Sequence, residues 1–169
     1  MIMTQRISKL VLTSHITFSI GWLGAVAVFL ALAITGLNSQ NPQLVRACLL
    51  AMKISAWFVI VPFCLTALAT GVVQAAWTKW GIFRHYWIVV KLFLTLGSTL
   101  LLLLHLQPIN ELATAASQPA FTNTEHSSHI IDLIGKSGAA ILVLLFITTI
   151  SIYKPWGKIQ VKEGAAKSW

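Results

Sequence analysis

The segment YWIVVKLFLTLGSTLLLLLHL, Tyr86–Leu106, decides how the rest of the chain is read. Lys91 is its one charged residue, and the remainder is almost wholly apolar. A helix needs about 20 predominantly apolar residues to cross the hydrocarbon of a bilayer, so this stretch reads as a membrane span. Three further apolar runs stand beside it, roughly residues 10–36, 44–76 and 130–153. Of the 169 residues 57% are hydrophobic and 9% charged, against about 25% charged in an ordinary soluble domain, which excludes the soluble reading. Three short connections and two short tails leave no room for a separate soluble domain. The expectation is an all-α, integral-membrane four-helix bundle in a single domain, residues 1–169.

The placement of charge orients the bundle. Of the twelve Lys and Arg residues, eight fall on one side: Arg6, Lys9, Lys79, Arg84, Lys154, Lys158, Lys162 and Lys167. The connections 37–43 and 107–128 contain no Lys or Arg but contain Glu111 and Glu125. Basic connections stay in the cytoplasm, so both termini are expected inside. The net charge of +8 therefore sets topology and favours anionic lipid, and nucleic acid is not an expected partner. The apolar run after Lys9 is longer than the ~7–15 residues of a secretory signal core, which argues against cleavage. Cys48 and Cys64, sixteen residues apart in one span, form no CxxC motif and are expected to pack.

Turn formers divide the spans. Asn38–Pro42 predicts a tight turn with Pro42 at the start of the next helix, and Gln107–Pro108 predicts the end of the third span. A long, mostly small and polar loop is then expected to 128, with a short amphipathic turn around Leu112–Ala116. Trp77, Trp80, Tyr86 and Trp87 read as an interfacial aromatic belt. Pro62 is expected to kink the second span, Gly21 and Gly24 to offer a close-approach surface on the first, and Pro155 and Gly157 to stop the fourth.

A charged side chain near the bilayer centre costs at least about 2.5–3.5 kcal/mol on insertion scales, so it faces a partner, a cavity or a cofactor. On the first span His15, Trp22 and Phe29 recur every seven residues and share a face. On the third, Lys91, Thr95, Ser98 and His105 form a polar stripe, and its ends lie about 21 Å apart at 1.5 Å per residue. Lys91 and His15 fall at similar depth, His15 six residues after Lys9 and Lys91 seven after Arg84, the basic groups that mark the inner surface, and neither has a carboxylate at that level. A neutral imidazole and a neutral amine each offer a lone pair, which is what a haem iron takes from axial ligands. Phe18, Trp22, Phe29 and Trp87 could flank a porphyrin. The bland alternative is a structural polar contact with core aromatics.

The outer half has its own polar set: Arg46, Lys53, His105, His129, Asp132 and Lys136. Asp132 is expected to neutralise Lys53 or Lys136, and the set reads either as a charge-compensated network with snorkelling side chains or as a site.

These residues also carry a resemblance. Ser14–His15–Ile16 with Trp22–Leu23–Gly24, Val61–Pro62 and Leu65–Thr66 leading to Thr70–Gly71, and Trp87 through Lys91 to His105 resemble the small bacterial protoporphyrinogen oxidases that bind haem b. The copper-resistance membrane family similar to them shares the layout, and the chain also resembles an uncharacterised family of bacterial four-helix membrane proteins. The likeness covers roughly residues 10–106. It implies a multi-pass protein of the bacterial inner, cytoplasmic membrane with haem b, and a functional pair that matches His15 and Lys91. Late in the first span the chain departs from the oxidases, with Leu30–Ile34 where they carry an arginine and aromatic residues.

Three functions follow. In the first, His15 and Lys91 ligate or flank one haem b, Trp22 packs on the ring, and Arg84, Lys79 and His85 receive the propionates. A second haem would be held by His105 with His129 or Lys136. The reaction would be electron transfer, with quinone as partner, or oxidation of a porphyrinogen. In the second, Arg46, Lys53, His105, His126 and His129 gather a metal ion or an anionic solute. In the third the helices only pack against a partner subunit. A homodimer is the expected assembly of so small a bundle.

Overall fold

A computed structural model of the chain describes residues 4–77, 86–118 and 123–153. Four helices in it are long and apolar enough to cross a membrane. The first is α1 (Gln5–Asn38). The second is one continuous helix in three parts, α2 (Pro42–Ser55), a π-helical turn (Ala56–Ile60) and α3 (Val61–Trp77). The third is α4 (Tyr86–Ala116) and the fourth α5 (Asn123–Tyr153).

The helices pack as a ring. α1 lies against α2–α3 on one side and α5 on the other, and α4 bridges the same two neighbours. α1 and α4 therefore face each other diagonally across the bundle. The core is built from one stripe per span, with Trp22, Val26, Phe29 and Ala33 on α1 meeting Val45, Leu49, Met52, Ile60 and Cys64 on the second span and Ile130, Leu133 and Leu144 on α5. Ala33, Ala56 and Cys64 are fully covered, because small residues let neighbouring backbones approach where no hydrophobic drive separates helix from lipid. The outer surface is apolar as well: Ile20, Phe58, Phe93, Leu104, Leu142 and Phe146 are each more than half exposed. Soluble monomers rarely expose such continuous apolar faces, whereas a hydrocarbon solvent requires them.

The tight turn after α1 is as expected. Ser39–Asn41 links the helices, Pro42 opens α2, and the Asn41 side-chain oxygen accepts from the Gln43 amide at 2.9 Å. Pro62 is preceded by the π-helical turn, where the Val61 amide reaches back to the Ala56 carbonyl. The wider register takes up the lost donor of Pro62. The expected end of the third span at Gln107–Pro108 is corrected, since α4 runs on to Ala116 with Pro108 inside it. Ile109, Leu112, Ala113 and Ala116 recur at helical spacing and are all buried, and that packing outweighs one missing ladder hydrogen bond. The loop of 107–128 shrinks accordingly, because α5 begins at Asn123.

Gly21 and Gly24 separate in role. A Cβ on Gly21 would lie 2.5 Å from the Phe63 ring, whereas one on Gly24 would meet nothing within 4 Å. Phe63 in turn stands edge-on to Phe18, with ring centroids 5.5 Å apart. Gly21→Ala should therefore cost about 1–3 kcal/mol through a displaced aromatic pair. Gly24→Ala should be neutral or stabilise by about 0.5–1 kcal/mol through helix propensity. Unfolding of the purified variants in detergent measures both, and equal stabilities would contradict the close approach.

Candidate functional site

Most polar side chains within the spans are satisfied on their own helix. Thr35, Thr66, Thr95, Thr99, Ser137, Thr148 and Thr149 each donate to the carbonyl four residues earlier, the usual local solution for a short hydroxyl side chain. His105 does the same, its Nδ1–H donating to the Leu101 carbonyl at 2.6 Å. An imidazole further down α1 and an amine on α4 find partners differently.

His15 is buried at 9% exposure. Its Nδ1 lies 3.0 Å from the Ala67 carbonyl oxygen and 3.2 Å from Thr70 Oγ1. A carbonyl oxygen only accepts, so Nδ1 carries the proton. Thr70 gives its own hydrogen to the Thr66 carbonyl at 2.6 Å, which leaves Oγ1 free to accept from the ring. Nε2 then presents its lone pair, and Lys91 Nζ donates to it at 3.2 Å. The tautomer follows from the partners alone.

The ring has room because residue 71 is glycine. A Cβ there would come within 3.0 Å of His15 Cε1. Three spans thus build the site: α1 supplies the imidazole, α3 the carbonyl, the hydroxyl and the gap at Gly71, and α4 the amine. His15 and Lys91 come from the diagonal pair of helices and meet across the middle of the bundle. Trp22 and Phe29 lie on the His15 face and are buried in the core. Among the described residues no carboxylate pairs with Lys91, for the ion pair found joins Lys136 to Asp132 one turn apart on α5.

The other residues singled out in the sequence are not gathered around this pair. His105 is partly exposed on α4, His129 is exposed on α5, and among the described residues no hydrogen bond or ion pair joins them or links His105 to Lys136. Asp132 neutralises Lys136 rather than Lys53. Arg46 Nη2 donates to the Gln118 carbonyl at 2.9 Å and so ties α2 to the end of α4. Among the described residues no three His, Cys, Asp or Glu side chains are placed to hold a metal ion. Cys48 and Cys64 are buried free thiols. Lys79, Arg84 and His85, expected to receive propionates, lie outside the described residues, as do Trp80, Pro155 and Gly157, and so does the side chain of His126.

Three residues were not singled out for the site. Ala67 contributes only its backbone carbonyl, which no side-chain pattern signals. Thr70 and Gly71 carry a signal: Thr70 lies four residues after Thr66 and is followed by a helix-weakening glycine inside the apolar run. A double-mutant cycle tests the contact. His15→Leu and Lys91→Met should each destabilise by about 1–2 kcal/mol, and the double variant should cost less than their sum because neither polar group is left stranded. Strict additivity would show that the two groups do not interact. No family model, curated protein or solved structure matches the chain.

Proposed function

We propose that the chain is a multi-pass protein of the bacterial cytoplasmic membrane, with both termini inside, that binds haem b at His15 and Lys91 and serves a membrane redox step. The observation that carries this reading is the meeting of two nitrogen donors from opposite helices, 3.2 Å apart, in the interior of an apolar bundle. Function is argued from the site, since a four-helix bundle by itself serves many roles.

The donor set suits an iron porphyrin. His15 is pinned through Nδ1 and offers Nε2, the arrangement in which a backbone acceptor fixes the tautomer and orientation of a ligating imidazole. A group held by both residues would need more room than a direct hydrogen bond leaves between Nε2 and Nζ. At 3.2 Å one side chain must yield. Lys91 is that side chain, because its four-carbon stem rotates freely whereas the His15 ring is held by Ala67, Thr70 and the gap at Gly71. His15 would then be the residue that holds the group, and Lys91 would be a movable second contact or a cation beside it. Bound haem supplies one-electron chemistry at iron; the protein holds the imidazole, excludes water and places the amine.

The resemblance to the haem-binding oxidases points the same way and leaves two reactions open, electron exchange with quinone and oxidation of a porphyrinogen. Metal handling by the outer polar set has less support, since among the described residues no three potential ligands are gathered and Asp132 is taken by Lys136. Protein purified from haem-replete cells should show a Soret band that shifts on reduction. His15→Ala should lose or strongly alter it and Lys91→Ala should change its position. A colourless preparation that takes up no added haemin defeats the proposal. For topology, a fluorescent reporter on either terminus should report a cytoplasmic location, and a periplasmic signal from either end would reverse the orientation.

A further inference from the structure

The second span carries a shallow groove on the surface of the bundle, in the half that holds the turn between α1 and α2. Lys53, Ile54, Trp57, Phe58 and Asn110 line it. It sits where α2 passes into the π-helical turn of Ala56–Ile60, and such turns often mark functional positions because the extra residue re-aims the side chains around it.

The polar groups of the groove left without a partner are donors. Trp57 Nε1–H donates to Asn110 Oδ1 at 3.0 Å, which fixes the amide and turns its NH2 into a free donor; among the described residues that group has no acceptor. Lys53 has no hydrogen-bond or ion-pair partner among the described residues either. Glu111, next to Asn110, receives the Gln107 amide at 3.2 Å instead. The walls are apolar and open to the surroundings, with Phe58 76%, Ile54 59% and Trp57 43% exposed.

Depth selects the occupant. The second span has 36 residues, or about 54 Å of helix against about 45 Å of bilayer including headgroups. If the excess is shared between the two ends, Lys53, eleven residues after Pro42, lies just inside the edge of the hydrocarbon. Its stem then reaches the phosphate level. A cation and an amide donor at that level, above an exposed aromatic and aliphatic strip, complement an amphiphile with a negative head and an apolar tail.

We propose that this groove binds an anionic phospholipid of the outer leaflet, its phosphate on Lys53 and the Asn110 amide and an acyl chain along Ile54 and Phe58. The proposal rests on the membrane-spanning reading with both termini inside and is independent of haem. Charge complementarity favours a phospholipid over a quinone, since a neutral ring would leave the Lys53 charge unmatched.

The full-length protein in mild detergent is titrated with phosphatidylglycerol and, separately, with phosphatidylcholine and with ubiquinone, and bound molecules are counted by native mass spectrometry. One phosphatidylglycerol per chain should be retained about fivefold more strongly than phosphatidylcholine, the preference expected of one basic residue at an anionic headgroup. Lys53→Gln should abolish the preference, Lys53→Arg should keep it, and Lys136→Gln, whose amine is paired with Asp132, should leave it unchanged. A second reading needs no charge variant: brominated phosphatidylglycerol should quench the Trp57 fluorescence, taken as the difference between wild type and Trp57→Phe, at a lower mole fraction than brominated phosphatidylcholine. Equal retention of the two lipids, a preference that survives Lys53→Gln, equal quenching by the two brominated lipids, or stronger retention of ubiquinone overturns the proposal. Resistance of the chain to carbonate extraction from membranes checks insertion separately.

Discussion

A hydrocarbon solvent offers a polar side chain no water, so an interior hydroxyl, imidazole or amine gains most by finding its partner inside the protein. The hydroxyls solve this locally by donating to the carbonyl one turn back. Imidazole and amine are longer and must reach across. The contact of His15 with Ala67, Thr70 and Lys91 is the solution toward the end of the bundle where α1 and α4 begin, and it ties three of the four spans together at one level. Trp57 with Asn110 and Arg46 with Gln118 repeat the device further along. Polar contacts thus fix the register of helices whose apolar faces could slide past one another.

The same constraint explains the glycines and the small residues. Phe63 occupies the space over Gly21, and the His15 ring occupies the space over Gly71, so each glycine marks where a ring from a neighbouring helix presses against the backbone. With little hydrophobic drive between helix and lipid, close packing of this kind and a few hydrogen bonds carry the association. The ring order of the helices puts α1 and α4 on a diagonal. A group held by His15 and Lys91 would therefore be bounded by the flanking spans on both sides.

Helix ends were the least legible part of the fold. The sequence around Gln107–Pro108 carries a proline and then mostly small and polar residues, which reads as a loop. Whether Pro108 ends a helix depends on whether Ile109, Leu112, Ala113 and Ala116 have something to bury against, and the neighbouring helices supply it. The π-helical turn before Pro62 is similar: a proline in mid-span announces a disturbance, but its form depends on the carbonyls and side chains around it.

By itself the sequence determined what the solvent demands. Run length and the scarcity of charge specify four long apolar helices, the turn chemistry of Asn41–Pro42 specifies one connection, and the seven-residue spacing of His15, Trp22 and Phe29 specifies a buried face. It also placed His15 and Lys91 at matching depth, because counting along antiparallel helices gives height. Only the tertiary structure decided which groups meet. Depth says nothing about rotation, so whether Asp132 pairs with Lys53 or Lys136, whether His105 joins His129, and that a backbone carbonyl at Ala67 sets the His15 tautomer all depend on how each helix is turned about its axis. That rotation is fixed by the packing of side chains from several spans at once, which no single stretch of sequence contains.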